Sequence, residues 1–440
     1  MRRAGRDRRR PRPGEGAVVR RVWITGAGVV SPIGNGFEAF ADGCLAGRSG
    51  VGPITLFDAA TFRHRIAGEV RGLDAAPLVE RYPRLGRLRD RKVLLGLAAA
   101  EQAIGHAGLA PRDLAGDRSA VVLGAGLDVV LLEDIRGRTD DVEASVSGKL
   151  RELLGDDGGW ERLVPTDTAS RLVAARHGLR GPCVTNVSAC AAGGQALGHA
   201  FRLVREGVAD VALAGGADSM VHPMGIGGFG LLGALSPRND PPDEAIRPFD
   251  ARRDGTVLGE GAAVLVLEDA EHARARGARP LAEFLGCAST LDAHAVTDPE
   301  PSGAGAVLAM RRALRDAGLD GQAIDYVSAH GTGTPKNDAV ETAAIREALG
   351  SRAARIPVSS LKSMTGHLVA ASGAVEALSC VVALVRRAVP PTINLTRPDP
   401  ACDLDYVPGR ARPWDGTIAL SNSFGFGGQN AVVVIGRSTG

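Results

Sequence analysis

Val187-Ser188-Ala189-Cys190-Ala191-Ala192-Gly193-Gly194-Gln195-Ala196-Leu197 reads onto Ser363-Met364-Thr365-Gly366-His367-Leu368-Val369-Ala370-Ala371-Ser372-Gly373. Each stretch follows a strand-like run, passes through a short polar turn and opens an Ala/Gly-rich helix. β-branched residues fit strands and alanine favours helices, so each marks a strand-to-helix switch. Two such switches predict two related halves, with Cys190 and the region of His367 at equivalent points of a pseudo-twofold unit, both facing one cleft.

The flanking pattern extends this. Strand-like runs at 119–124, 210–216, 262–267, 281–285, 324–329, 356–359, 417–421 and 431–435 alternate with helix-like ones at 92–107, 305–317, 337–349 and 370–388. Such alternation predicts an α/β chain with a largely parallel sheet covered on both faces. The first strand, Val22-Trp23-Ile24-Thr25, leads into Gly26-Ala27-Gly28-Val29-Val30-Ser31, half of a dinucleotide fingerprint. Pro32 and Gly34 interrupt the helix start and no acidic ribose ligand follows, so a tight turn back over the sheet is expected there. Residues 135–165 are polar and irregular and read as an insertion or lid-like excursion.

The formal charge of +2 misleads. Residues 1–20 hold eight Arg against Asp7 and Glu15, and the remaining 44 basic and 48 acidic residues leave about −4. The Arg-rich arm lacks a secretory apolar core and reads as a disordered tail. The acidic body has no aromatics interleaved with basic residues, which speaks against nucleic-acid binding. No apolar run reaches the ~18 residues of a membrane span. Six scattered cysteines without a CxxC pair predict a reducing, cytoplasmic setting. The domain reading is an arm at 1–20, one half at 21–270 and a second at 271–440.

A thiol at a helix start meets unpaired N–H groups and a positive partial charge, which lower its pKa from ~8.5 and favour an acyl-transfer nucleophile beside an oxyanion hole. The alternative is that Cys190 is a small buried hydrophobe. Two histidines follow strands: His330 leads into Gly331-Thr332-Gly333-Thr334-Pro335, and His367 closes Lys362-Ser363-Met364-Thr365-Gly366-His367. Strand ends are where open α/β sheets place ligands.

Ser-Ala-Cys-Ala-Ala-Gly (188–193), Ala-His-Gly-Thr-Gly-Thr-Pro (329–335) and Lys-Ser-Met-Thr-Gly-His (362–367), with 247–261 and 421–430 in support, resemble the β-ketoacyl synthases, most closely the elongating β-ketoacyl-acyl carrier protein synthase II type. The resemblance spans about 22–436. It implies a thiolase-like α/β fold of two pseudo-duplicated halves in α-β-α-β-α layers, and a dimer with itself or with a chain-length-factor-like sister. It also implies acyl transfer from acyl carrier protein to Cys190, then decarboxylative condensation with malonyl carrier protein in fatty-acid or type II polyketide elongation. By the same resemblance the Cys190 and Phe424 amides form the oxyanion hole, His330 and His367 bind the malonyl thioester oxygen, and Lys362 supports them. Thr332 and Thr334 contact the pantetheine arm, and Phe424 with Phe229 gates the acyl channel, although Phe229 also reads as core. Asp338 and Glu341 tie loops together. No cofactor or catalytic metal is implied. Glu376, Ser421 and Asn430 match a structural monovalent-cation site of some relatives, from whose usual Asn Ser328 departs.

Rival readings are a chain-length factor, which lacks the nucleophile, and a thiolase, which uses coenzyme A substrates and a second cysteine where this chain has 425–428. Starter-condensing synthases pair one His with Asn, whereas both positions here are His.

Overall fold

A computed structural model describes residues 19–83, 85, 90–127 and 165–438. The main strands are β1 (Val22–Ser31), β2 (Ser119–Ala125), β3 (Cys183–Asn186), β4 (Val211–Ser219), β5 (Glu260–Asp269), β6 (Ala282–Leu291), β7 (Tyr326–Ser328), β8 (Val358–Ser359), β9 (Ile418–Gly425) and β10 (Gln429–Gly436). The helices used below are α1 (Arg91–Ala107), α2 (Ala192–Arg205), α3 (Pro223–Leu231), α4 (Ala304–Asp316), α5 (Pro335–Leu349) and α6 (Ser372–Arg386).

Strand order is β8-β7-β9-β10-β6-β1-β5-β4-β2-β3, which reads the same from either end once β1 is equated with β6, β2 with β7, β3 with β8, β4 with β9 and β5 with β10. The arms meet where β1 and β6 pair over three residues. Helices α2 and α6 touch each other and lie between the arms, while α1 covers the outside of one and α4 the outside of the other, giving five layers. The sheet is mixed, which corrects the largely parallel expectation. Pairs β2–β3, β2–β4, β7–β8 and β7–β9 are parallel; β4–β5, β1–β5, β1–β6, β6–β10 and β9–β10 are antiparallel. Strands β2, β4 and β5 are buried along their whole length because helices cover both faces, so their sequences show the same apolar run whichever direction the neighbour takes.

The tight turn expected at 26–31 comes just after it, at Pro32-Ile33, where Ser31 pairs with Gly34 and Val30 with Asn35. Up to that turn the chain runs as one ten-residue strand with a register shift between Ile24 and Gly26. Its glycines serve close packing: a Cβ on Gly28 would come 2.0 Å from the Ala99 carbonyl oxygen of α1, and one on Gly26 2.7 Å from that of Ala103. Asp90 caps α1 by accepting from the Lys92 amide.

The arm at 1–20 lies outside the described residues up to 18; Arg20 itself pairs with Asp210 and Asp269. The excursion at 135–165 is also outside them up to 164. Among the described residues one stretch, Val369–Arg386, is long and apolar enough to cross a membrane, but 89% of it is buried inside the fold. It contains the central helix α6.

Candidate active site

Cys190 lies in a single 3₁₀ turn, Ala189–Ala191, between β3 and α2, and is 3% exposed. The second switch is the turn Val369–Ala371 ahead of α6. Ala189 and Val369 have φ of 47° and 45°, so the turns superpose at these residues, and Cys190 corresponds to Ala370 rather than to Gly366. His367 precedes its turn by two residues. The sequence register was off by four because an extra loop carries the histidine.

The turns bring the expected groups together. His367 Nε2 is 3.0 Å from Cys190 Sγ, and the His330 and His367 rings stand edge to face with centroids 5.4 Å apart. The Val369 amide, which can only donate, reaches His367 Nδ1 at 3.3 Å, and the Ser372 hydroxyl lies 2.9 Å from the same nitrogen. Nδ1 is therefore the acceptor, and Nε2 carries the proton that faces the sulfur. The same logic fixes His330. Lys362 Nζ donates to its Nδ1 at 3.1 Å and to its carbonyl at 2.7 Å, and closes an ion pair with Glu376. The ammonium's three donors are spent, and His330 too presents Nε2–H.

Burial holds both imidazoles well below their usual pKa, and the Lys362 charge adds to this, so both are neutral donors. Burial raises Glu376 to about 7 against the pull of Lys362. It also pushes the Cys190 thiol up to about 11, opposed by Lys362 and by the Phe426 backbone amide. This reverses the lowered pKa expected from helix position: desolvation of the thiolate in an apolar pocket outweighs the helix-start field.

The backbone amide that bears on the thiol is that of Phe426, whereas the resemblance placed Phe424 in the oxyanion hole. It is the second phenylalanine of Ser-Phe-Gly-Phe-Gly-Gly whose N–H reaches the sulfur. Between the two, Gly425 stands against the thiol turn, where a Cβ would be 3.1 Å from the Cys190 nitrogen. Phe229 on α3 likewise stacks on Phe426, at 5.9 Å, whereas the Phe424 ring faces His330 at 5.7 Å. Cys190 shares an apolar cluster with Ile226, Leu235, Leu258 and Val369, against which Phe62, Met220 and Phe229 pack.

The remaining predicted residues hold the His330 loop. Glu341 accepts from the His330 and Gly331 amides, both at 2.8 Å, and from Asn422. Asp338 accepts from the Phe249 and Gly333 amides. Burial raises both carboxyls. Thr334 caps α5 by accepting from the Asn337 amide, and its hydroxyl lies 2.9 Å from that of Thr332. At the cation motif, Glu376 Oε2, Ser421 Oγ and Asn422 Oδ1 are buried without protein partners, oxygen atoms of the type a hard cation takes. Asn430 does not belong with them, because its amide donates to Asp292 at 2.6 Å. Among the described residues no group of three or more His, Cys, Asp or Glu is placed to hold a metal.

Residues 19–273 match the β-ketoacyl synthase N-terminal domain and 281–396 the C-terminal domain. The chain belongs to the β-ketoacyl synthase family. This family member is 44% identical over 422 residues to a 3-oxoacyl-[acyl-carrier-protein] synthase 2 of Synechocystis sp., covering 94% of this chain and 97% of the relative. It is 43% identical over 429 residues to a putative polyketide beta-ketoacyl synthase 1 of Streptomyces cyaneus, covering 95% and 99%. A beta-ketoacyl synthase from Burkholderia phymatum aligns with TM-score 0.85 at 36% identity over 95% and 100% of the two chains. The ishigamide ketosynthase/chain length factor structure aligns with TM-score 0.82 at 36% identity over 95% and 99%.

Proposed function

We propose that this β-ketoacyl synthase condenses an acyl group held on Cys190 with a malonyl group delivered by acyl carrier protein. In the first step Cys190 sulfur attacks the acyl thioester; the carrier thiolate leaves and takes up the proton the cysteine loses. The Cys190 and Phe426 amides face the oxygen that becomes negative. In the second, the malonyl carboxylate leaves as CO₂, and the electron pair it leaves behind forms an enolate whose charge sits on the thioester oxygen. His330 and His367 each offer Nε2–H to that oxygen, a fixed pair of donors in a water-poor site. The enolate carbon then attacks the acyl-cysteine, and the Cys190 thiolate departs and takes a proton from water, the one proton this half-reaction consumes.

The observation that carries this reading is the convergence of one thiol with two imidazoles whose outer nitrogens are both occupied by donors. A bound cation would be held by Glu376, Ser421 and Asn422 and would balance buried charge only. The apolar residues about Cys190 suit an acyl chain. All six cysteines are free, in keeping with the cytoplasm.

The relatives include both a 3-oxoacyl-[acyl-carrier-protein] synthase 2 and a putative polyketide beta-ketoacyl synthase, and solved neighbours include a ketosynthase with a type II acyl-carrier protein and one with a chain length factor. Either a second copy or such a sister subunit would complete this chain. Incubation of the purified protein with acyl and malonyl carrier protein, followed by mass analysis, should give β-ketoacyl carrier protein and CO₂. Absence of both defeats the reading. Expression alone and with a chain-length factor decides the partner.

A further inference from the structure

Asp218, near the end of β4, is 1% exposed and takes no part in the chemistry above. One carboxylate oxygen accepts from the Ser219 amide at 2.8 Å, and the other from the Ala370 amide at 2.9 Å, 152 residues away in the opposite half. Ala370 is the counterpart of Cys190 in the duplicated turn. The amide that faces substrate in one half is thus taken by a carboxylate in the other.

The bond falls at a strained point. Val369 is β-branched and has φ 45°, a left-handed conformation that such a residue keeps only where the surroundings hold it. Fixing the Ala370 nitrogen fixes the peptide plane after Val369. The Val369 amide in turn donates to His367 Nδ1. On the other side of Asp218, Gly126 leaves no spare room: a Cβ there would lie 2.4 and 2.5 Å from the two carboxylate oxygens.

We propose that Asp218 is a positioning residue for the condensation: by holding the Ala370 amide it maintains the Val369 turn that keeps His367 in its Nε2–H form. The proposal rests on the reading of His367 as an enolate-stabilising donor. Asp218 acts through backbone and touches no reacting atom.

The test uses the full-length protein with its partner subunit, if it requires one, and ¹⁵N-labelled histidine, comparing wild type with Asp218→Asn and Gly126→Ala. The first puts an NH₂ against one of two amide donors; the second leaves the carboxylate in place but pushes it aside. In wild type the His367 Nδ1 signal should be that of an unprotonated nitrogen. Either variant that folds should gain a protonated Nδ1 population. Its kcat for malonyl decarboxylation should fall on the order of 10-fold or more, with KM within about twofold, while Cys190 still accepts acyl groups. An unchanged Nδ1 signal in the variants, or acylation and decarboxylation falling together with melting temperature, overturns the proposal. Wild type that shows the expected tautomer but does not decarboxylate malonyl carrier protein refutes the donor reading of His367 instead.

Discussion

Ala189 and Val369 make the same turn twice, with φ of 47° and 45°, each three residues ahead of the first residue of a central helix. One copy presents a thiol and the other supports the histidine that meets it. The division of labour between them sets the experiments that follow.

Cys190→Ala should abolish acylation, with a loss of at least about 10³ in loading rate, because the bond-forming atom is gone. The imidazole donors do not depend on the sulfur, so malonyl decarboxylation should persist. Intact mass for the first and CO₂ release for the second check this. An acylated Cys190→Ala protein would contradict the assignment.

His330→Ala removes one of two donors to the developing oxyanion. Decarboxylation should drop about 10²- to 10³-fold. Acylation of Cys190 should continue, since the imidazole hydrogen-bonded to the sulfur is that of His367, which the variant keeps. Rates of the two half-reactions, measured separately, decide it.

The Cys190 thiol, raised to about 11 by burial, is protonated at neutral pH in the resting protein. Its alkylation by iodoacetamide should therefore climb about tenfold per pH unit from pH 7 to 10 without levelling off. A plateau by pH 8 would mean that the helix-start field outweighs burial after all.

Lys362→Met strands the buried Glu376 carboxyl, which should cost about 3 kcal/mol or more. Glu376 already titrates near 7 in the fold, above the ~4.5 of an exposed glutamate, so the folded state binds the extra proton. Loss of the ammonium raises that pKa further. Stability of the variant relative to wild type should therefore fall as pH rises, with a larger deficit at pH 8 than at pH 6. Thermal melts at the two pH values check the sign, and adding Glu376→Gln should recover part of the loss.

Cys190, His330, Lys362 and His367 were legible in sequence because each lies in a short local run where turn and small residues displace the strand or helix pattern. The two halves were legible for the same reason, since duplicated switches leave duplicated text. Strand direction was not, because β2 and β5 are buried on both faces and show the same apolar run whether the neighbour runs parallel or antiparallel. The strand through Gly26 and Gly28 passed for a turn because its glycines answer to a helix some 70 residues on. The Phe426 amide was missed because a backbone donor carries no residue identity; the run Phe424-Gly425-Phe426 offers two candidates, and only packing selects one.

The sequence by itself determined which chemical groups this protein has and in what order: a thiol at a helix start, two loop histidines and a lysine beside one of them. The tertiary structure alone decided their states. Nε2–H tautomers follow from which donors reach Nδ1, the raised thiol pKa from how much apolar surface closes over it, and the grip of Asp218 on Ala370 from a contact across 152 residues. Local pattern encodes side-chain type, whereas protonation and orientation depend on fields and hydrogen bonds that exist only once the two halves have packed.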